Sequence, residues 1–361
     1  MTRIAVTLIA TFTAAAFAAG PADSLKTGKA QLKSAGPLAF GPEGILFVGD
    51  PMGASIFALS TGDTRAVKNP PAPEVDGIQE KIANLLGASA EQIMVNDMAV
   101  NPLTKRAYIS VSRGRGPEAM PAIVRVSGSK LEEVNLANIA HASVDLPNAP
   151  AADAKDRRGT SLRTEAITDL AYVDGTLLVA GLSNEEFSSN LRSIPFPFQT
   201  AGRGASIEIY HGQHGRFETN SPIRTFTPYK IAKKRHILAA YTCTPLVSIP
   251  MSDLEPGKKV MGKTIAELGN RNRPLDMVVY EKDGAQYILM NNSSRGVMKV
   301  KGDGLESYPA IKSQTEVTGV PYETIAGLKG VEHLDRLDAS NAVMLIRSEG
   351  GALDLKKLAL P

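Results

Sequence analysis

The chain has 361 residues, with 40 Lys and Arg against 37 Asp and Glu, a formal net charge of +3, and one cysteine. That balance gives no general surface for nucleic acid or a membrane. A lone Cys243 can close no internal disulfide, so stability must come from burial, which a chain of this length can supply.

In chain order, MTRIAVTLIATFTAAAFAAG comes first, with Arg3, an apolar run over 4–16 and the small-x-small pattern Ala16-Phe17-Ala18. This is the layout of a secretory leader. About 13 apolar residues are too few to cross a bilayer, which takes roughly 20. Residues 1–18 are therefore read as a signal peptide and 19–361 as one domain, exported to a periplasm or the cell exterior. No later run is long enough for a membrane span.

After the leader, short β-like runs return in one phrase of strand, turn, strand, loop, strand. The copies fall at 37–63, 97–129, 169–217 with an insertion, 227–253, 276–304 and 333–358. Gly-bearing turns such as PEG, VDG and KDG join runs rich in Val, Ile, Leu and Tyr, as hairpins require. A recurrence of about 40 to 50 residues is the period of propeller blades. The fold class is all-β: a single β-propeller of six blades. Seven is the alternative, with the extra blade drawn from 309–330 or from 24–35 pairing with the last strand. Between the first two blades GIQEKIANLLGASAEQI predicts a short helix, with Ile78, Ile82, Leu85 and Leu86 on one side and Gly87 as its stop.

Phrases such as DMAVNPLTKRAYIS and GPEGILFVGD resemble those of NHL-repeat, YVTN-repeat and gluconolactonase-like β-propellers over most of 37–358. The resemblance implies a fold and leaves the activity open. Gluconolactonase-like propellers hold a divalent ion near the axis, so it also raises a cation such as calcium as a candidate cofactor.

In a meandering blade the long excursions 64–95, 136–165, 183–204 and 306–331 share one face, which places a ligand site at that mouth of the channel. VNDMAV, ITDLAY and PLDMVV set Asp97, Asp169 and Asp276 at blade starts near the axis, with His333 and Glu332 at the sixth. Converging carboxylates suit a hard cation. Alternatively, each Asp accepts backbone N–H groups of its own or a neighbouring blade and sets the blade register. Cys243, with His333 and an Asp, could make a softer metal site, whereas His211 and His214 in YHGQHG are placed in a turn on the far face.

Arg113, Arg295 and Arg347 lie at strand corners suited to a carboxylate or phosphate, or to pairing with the acidic ring. Phe196 and Phe198 in the insertion are candidates for a lid or partner contact. No GxSxG, HExxH or Walker A pattern is present. The reading is an exported, monomeric binding or interaction module for a small anionic molecule or a protein partner. The alternative is a metal-dependent lactonase-like hydrolase whose axial divalent cation polarises a carbonyl.

Overall fold

A computed structural model describes residues 20–243 and 245–361, so the expected leader lies outside the described residues. Six strands lead six antiparallel units: β1 (Leu38–Phe40), β2 (Ile93–Val100), β3 (Asp169–Val173), β4 (Thr225–Ile231), β5 (Pro274–Lys282) and β6 (Val331–Arg336). Each leading strand touches two others, and the contacts close a circuit in the order β1, β3, β4, β5, β6, β2 and back to β1.

Apolar packing follows the same circuit. Successive residues of a strand face opposite sides of its sheet, so Phe47 packs with Ile167 and Leu177 of the third unit while Leu46 and Val48 pack with Tyr108 and Ile123 of the second. Every neighbouring pair of units shares its own buried cluster. Sheets covered on both faces explain why the second strands read as unbroken apolar runs such as ILFV rather than as alternations. The molecule is a β-propeller-like ring, whose radial closure leaves few free sheet edges.

The order around the ring is not the order along the chain. After its third strand, Ser55–Ser60, the first unit is interrupted by the helix and the whole second unit. The chain then returns as Ile139–Asp145 to complete the first sheet beside Ser55–Ser60, and only afterwards begins the third unit on the other flank. The expected extra pairings also differ. Lys26–Gly28 pairs with Ile139–Asp145 and not with the last strand, and the short strands Val317–Gly319 and Tyr322–Thr324 extend existing sheets.

Helix α1 (Ile78–Leu86) buries Ile78, Ile82, Ala83 and Leu86 against the second and sixth units. Leu85, expected on that face, is 40% exposed, because the 3.6-residue period carries it past the buried stripe. Gly87 ends the helix at φ +64, a left-handed cap that favours glycine, with its N–H shared between Ala83 O and Asn84 O. Just before the helix, Val75 and Leu355 exchange backbone hydrogen bonds of 2.9 and 2.8 Å. The segment thereby covers the outer edge of the three-stranded sixth unit.

Three of the long excursions contain strands: Val317–Gly319 and Tyr322–Thr324 in 306–331, and, earlier in the chain, Ile139–Asp145 and Ser189–Pro195. Between them, Ala151–Thr160 is almost wholly exposed and is held by local bonds, chiefly Asp156 N to Thr160 O at 2.9 Å and Arg158 N and Thr160 N to Asp156 Oδ1. Backbone tied only to itself opens at little cost. Limited trypsin digestion is expected to cut first at Lys155, Arg157 or Arg158. A first cut in the basic hairpin at 230–236 would contradict this.

Candidate functional site

Three leading strands carry a β-bulge at their upper ends, between Val95 and Asp97, Pro274 and Met277, and Val331 and His333. A bulge adds a residue and turns the strand locally, and here it lies beside the residues that face the axis. Asp97, Asp169, Asp276 and Asp335 all line one central cavity of about 520 Å³. The predicted recurrence thus converges as expected for Asp97, Asp169 and Asp276. Sequence reasoning misses Asp335 because it sets His333 at the equivalent position. The period of two along a strand puts residue 335 on the same face as 333, and that is the available signal.

Each carboxylate accepts a backbone N–H from the next leading strand in one sense of rotation. Val100 N donates to Asp335 Oδ2 at 2.6 Å, Leu38 N to Asp97 Oδ2 at 2.6 Å, Phe226 N to Asp169 Oδ2 at 2.7 Å, and Leu334 N to Asp276 Oδ2 at 2.8 Å. Asp169 and Asp335 also accept, through Oδ1, the N–H of the residue that follows them. Four of the six seams are latched in this way. Of the two readings of the repeated Asp, these contacts are those of the register device.

His333 closes the ring on its upper side, with Nδ1 3.5 Å from both Asp97 Oδ1 and Asp276 Oδ2. That distance makes a shared ion pair rather than a tight hydrogen bond to either. Burial alone would lower the imidazole, but the carboxylates of Asp276 and Asp97 outweigh it and hold His333 up to about 10. Burial pushes Asp335 up to about 7 against the pull of its two backbone donors. It also raises Asp97, opposed by His333, and raises Asp169 well above the usual range, helped by the charge on Asp97.

Glu332 does not join the ring. It is held bidentately by Arg347, at 2.5 Å to Oε1 and 3.0 Å to Oε2. Glu165 is likewise paired, with Arg224. The three corner arginines bond to separate partners. Arg113 donates to Leu86 O at the end of α1, Arg295 to Asn270 O, and Arg347 to Glu332, Gln79 and Gly351. Each is taken up by local carbonyl or carboxylate groups, and none of the three lines the cavity with the Asp residues.

Phe196 and Phe198 lie elsewhere again. Their rings stand 5.0 and 5.9 Å from that of Phe47, and Phe196 is buried between the first and third units. Phe196 N bonds to Gly175 O in the turn after β3. These phenylalanines therefore fill an interface at the end remote from the arginines and form no lid over them. The stretch NNSS contains N-x-S glycosylation sequons at Asn291 and Asn292, but both side chains are buried and hydrogen-bonded.

The cavity extends from the carboxylates toward the short turns after the leading strands, where Phe40, Lys105, Pro228, Arg336 and Asp338 line it. Its lining thus reaches the face opposite the one expected from loop length. Cys243 is not at the axis with His333. It stands with His211 and His214, a donor atom from each lying within 4.8 Å of the others. The far-face placement of the two histidines fails because Ser189–Pro195 is an additional strand, which reverses the chain and brings the end of Ala205–His211 to the side of the Cys243 corner.

Fold and site together define a propeller-like ring with an acidic axial cavity. No family model matches the chain, and no curated protein matches it. Among solved structures it is similar to a PQQ-bound aldose sugar dehydrogenase of Streptomyces coelicolor, with 11% identity over 92% of this chain and 96% of that one and a TM-score of 0.33. It is also similar to a putative glucose dehydrogenase of a Thermus species, with 12% identity over 92% and 100% and a TM-score of 0.38. A third is Drosophila Plexin A in complex with Semaphorin 1b, with 8% identity over 93% and 88% and a TM-score of 0.39. No helix among the described residues is long and apolar enough to cross a membrane.

Proposed function

We propose that the protein is an exported six-bladed binding module whose axial cavity takes a small cationic or polyhydroxylated molecule. The observation that carries this reading is the acidic wall. Four carboxyl groups face one cavity of about 520 Å³ beside a single imidazolium, His333, and burial raises Asp169 and Asp335 toward a form that can also donate a hydrogen bond. That volume is in the usual range for small-molecule sites, and an acidic wall favours ammonium groups and hydroxyl donors over anions. The anionic ligand expected from the corner arginines loses its support because their guanidinium groups are engaged locally.

The lactonase-like alternative retains one favourable observation, the approach of donor atoms of Asp97, Asp276 and His333 to within 4.8 Å of one another. A hard ion there would have to displace the proton that those carboxylates stabilise on His333. The imidazolium already supplies the positive charge that the metal would bring.

A thermal-shift screen with compounds sorted by charge tests the proposal. Amines and polyols should raise the melting temperature, while sugar acids and phosphate esters should not. Asp335→Asn should weaken an amine hit by about tenfold, roughly one charge-assisted hydrogen bond. Stabilisation confined to anions, or lactone hydrolysis lost with one axial calcium per chain, would favour the other readings.

A further inference from the structure

We propose a second site, away from the axis, in which His211, His214 and Cys243 bind one zinc-class ion. A short helical turn over Gly212–His214 follows His211. With about three residues per turn, it brings residues i and i+3 to one side, and the two imidazole rings lie 3.9 Å apart between centroids. Cys243 reaches them from the corner of the fourth unit. Its backbone is in the left-handed region at φ +65, and its N–H donates to Asn272 O at 2.7 Å. A non-glycine residue rarely adopts that conformation, and the hydrogen bond holds it there.

Glu218 lies behind both histidines. Its Oε2 is 2.9 Å from His211 Nδ1 and its Oε1 is 2.6 Å from His214 Nδ1, and Ser221 Oγ donates to Oε2 at 2.7 Å. A carboxylate can only accept, so each Nδ1 carries the proton, and a neutral ring then presents its lone pair at Nε2. This carboxylate–histidine arrangement orients metal-binding imidazoles and raises their basicity.

The independent observation is His211 itself. The residue is 2% exposed, and its Nε2 has no hydrogen-bond partner among the described residues. A buried lone pair without a donor is costly, and an ion held together with His214 and the thiolate would satisfy it. One thiolate and two imidazoles form a borderline-soft donor set that matches zinc better than calcium or magnesium. His214 is 42% exposed at its side chain, so the fourth tetrahedral position faces solvent and would be filled by water. The two positive charges of the ion are balanced by the Cys243 thiolate and Glu218.

The test uses the full chain, stripped with a chelator and titrated with zinc(II) against a chromophoric competitor, then with cobalt(II). One equivalent should bind, and the cobalt form should show a thiolate-to-metal charge-transfer band in the near ultraviolet. Cys243→Ser should remove that band while leaving the far-ultraviolet circular dichroism unchanged, and Glu218→Gln should weaken zinc binding by about 10–100-fold. Asp97→Asn should leave zinc binding as it was, which separates this site from any ion at the axis. Wild-type zinc affinity in both Cys243→Ser and His214→Gln, or a cobalt spectrum without the thiolate band, would overturn the proposal.

Discussion

The melting temperature is expected to be highest near pH 4.5 and to fall as the pH is raised toward 10. His333 is held up to about 10 from its ordinary 6.5, with burial opposed and outweighed by Asp276 and Asp97. A raised group contributes stability that is fully present below its unfolded value and is lost as the pH rises through its folded one. For His333 that window runs from 6.5 to about 10, and by linkage the loss is on the order of 3–5 kcal/mol. Asp335 and Glu267, each pushed up to about 7 by burial, act in the same sense at lower pH. The acid limb has the opposite origin. Glu218 is held below its ordinary 4.5, so its contribution is present above 4.5 and is lost as the pH falls. Melting curves across the range, for the wild type and for His333→Asn, check this. The variant should lose most of the alkaline slope, and an unchanged slope would mean that the imidazolium does not hold the ring together.

Asp169→Ala should lower the unfolding free energy by on the order of 1–3 kcal/mol, because the N–H groups of Phe226 and Leu170 lose their acceptor. Part of that loss is offset by removing a carboxylate that burial disfavours. Asp145→Ala on an exposed strand end serves as the control and should stay within about 0.5 kcal/mol. Equilibrium urea unfolding of the two variants measures the difference. If they behave alike, the Asp contacts do not set the packing of neighbouring units. A metal lost in step with Asp169 would instead restore the axial cation.

Much of the ring is legible along the chain. The six strand phrases, the Gly-bearing hairpin turns and the helix over 78–86 are local signals, written by side-chain periodicity and by positions that need a left-handed backbone. The convergence of Asp97, Asp169 and Asp276 is legible for the same reason, since equal positions in repeated units meet at the axis. Asp335 is hidden by its neighbour: it lies two residues beyond His333 on the same face, in regular register, and the repeated phrase does not say which of the two matches the Asp of the other units.

Local geometry is therefore written in the chain itself: all-β units, their turns, a short helix and the repeated placement of carboxylates. The order of units around the ring comes instead from long-range pairing, because Ile139–Asp145 becomes a strand of the first sheet only by meeting residues roughly 85 positions away. Every distant partner is set in the same way. Arg347 finds Glu332, Phe196 finds Phe47, and Cys243 finds His211 and His214. These contacts depend on the direction in which a strand crosses its sheet, and one additional strand, Ser189–Pro195, reverses the end at which all later residues of that unit emerge. A period of two tells which face of a sheet a residue takes. It does not tell which end of the ring the residue reaches.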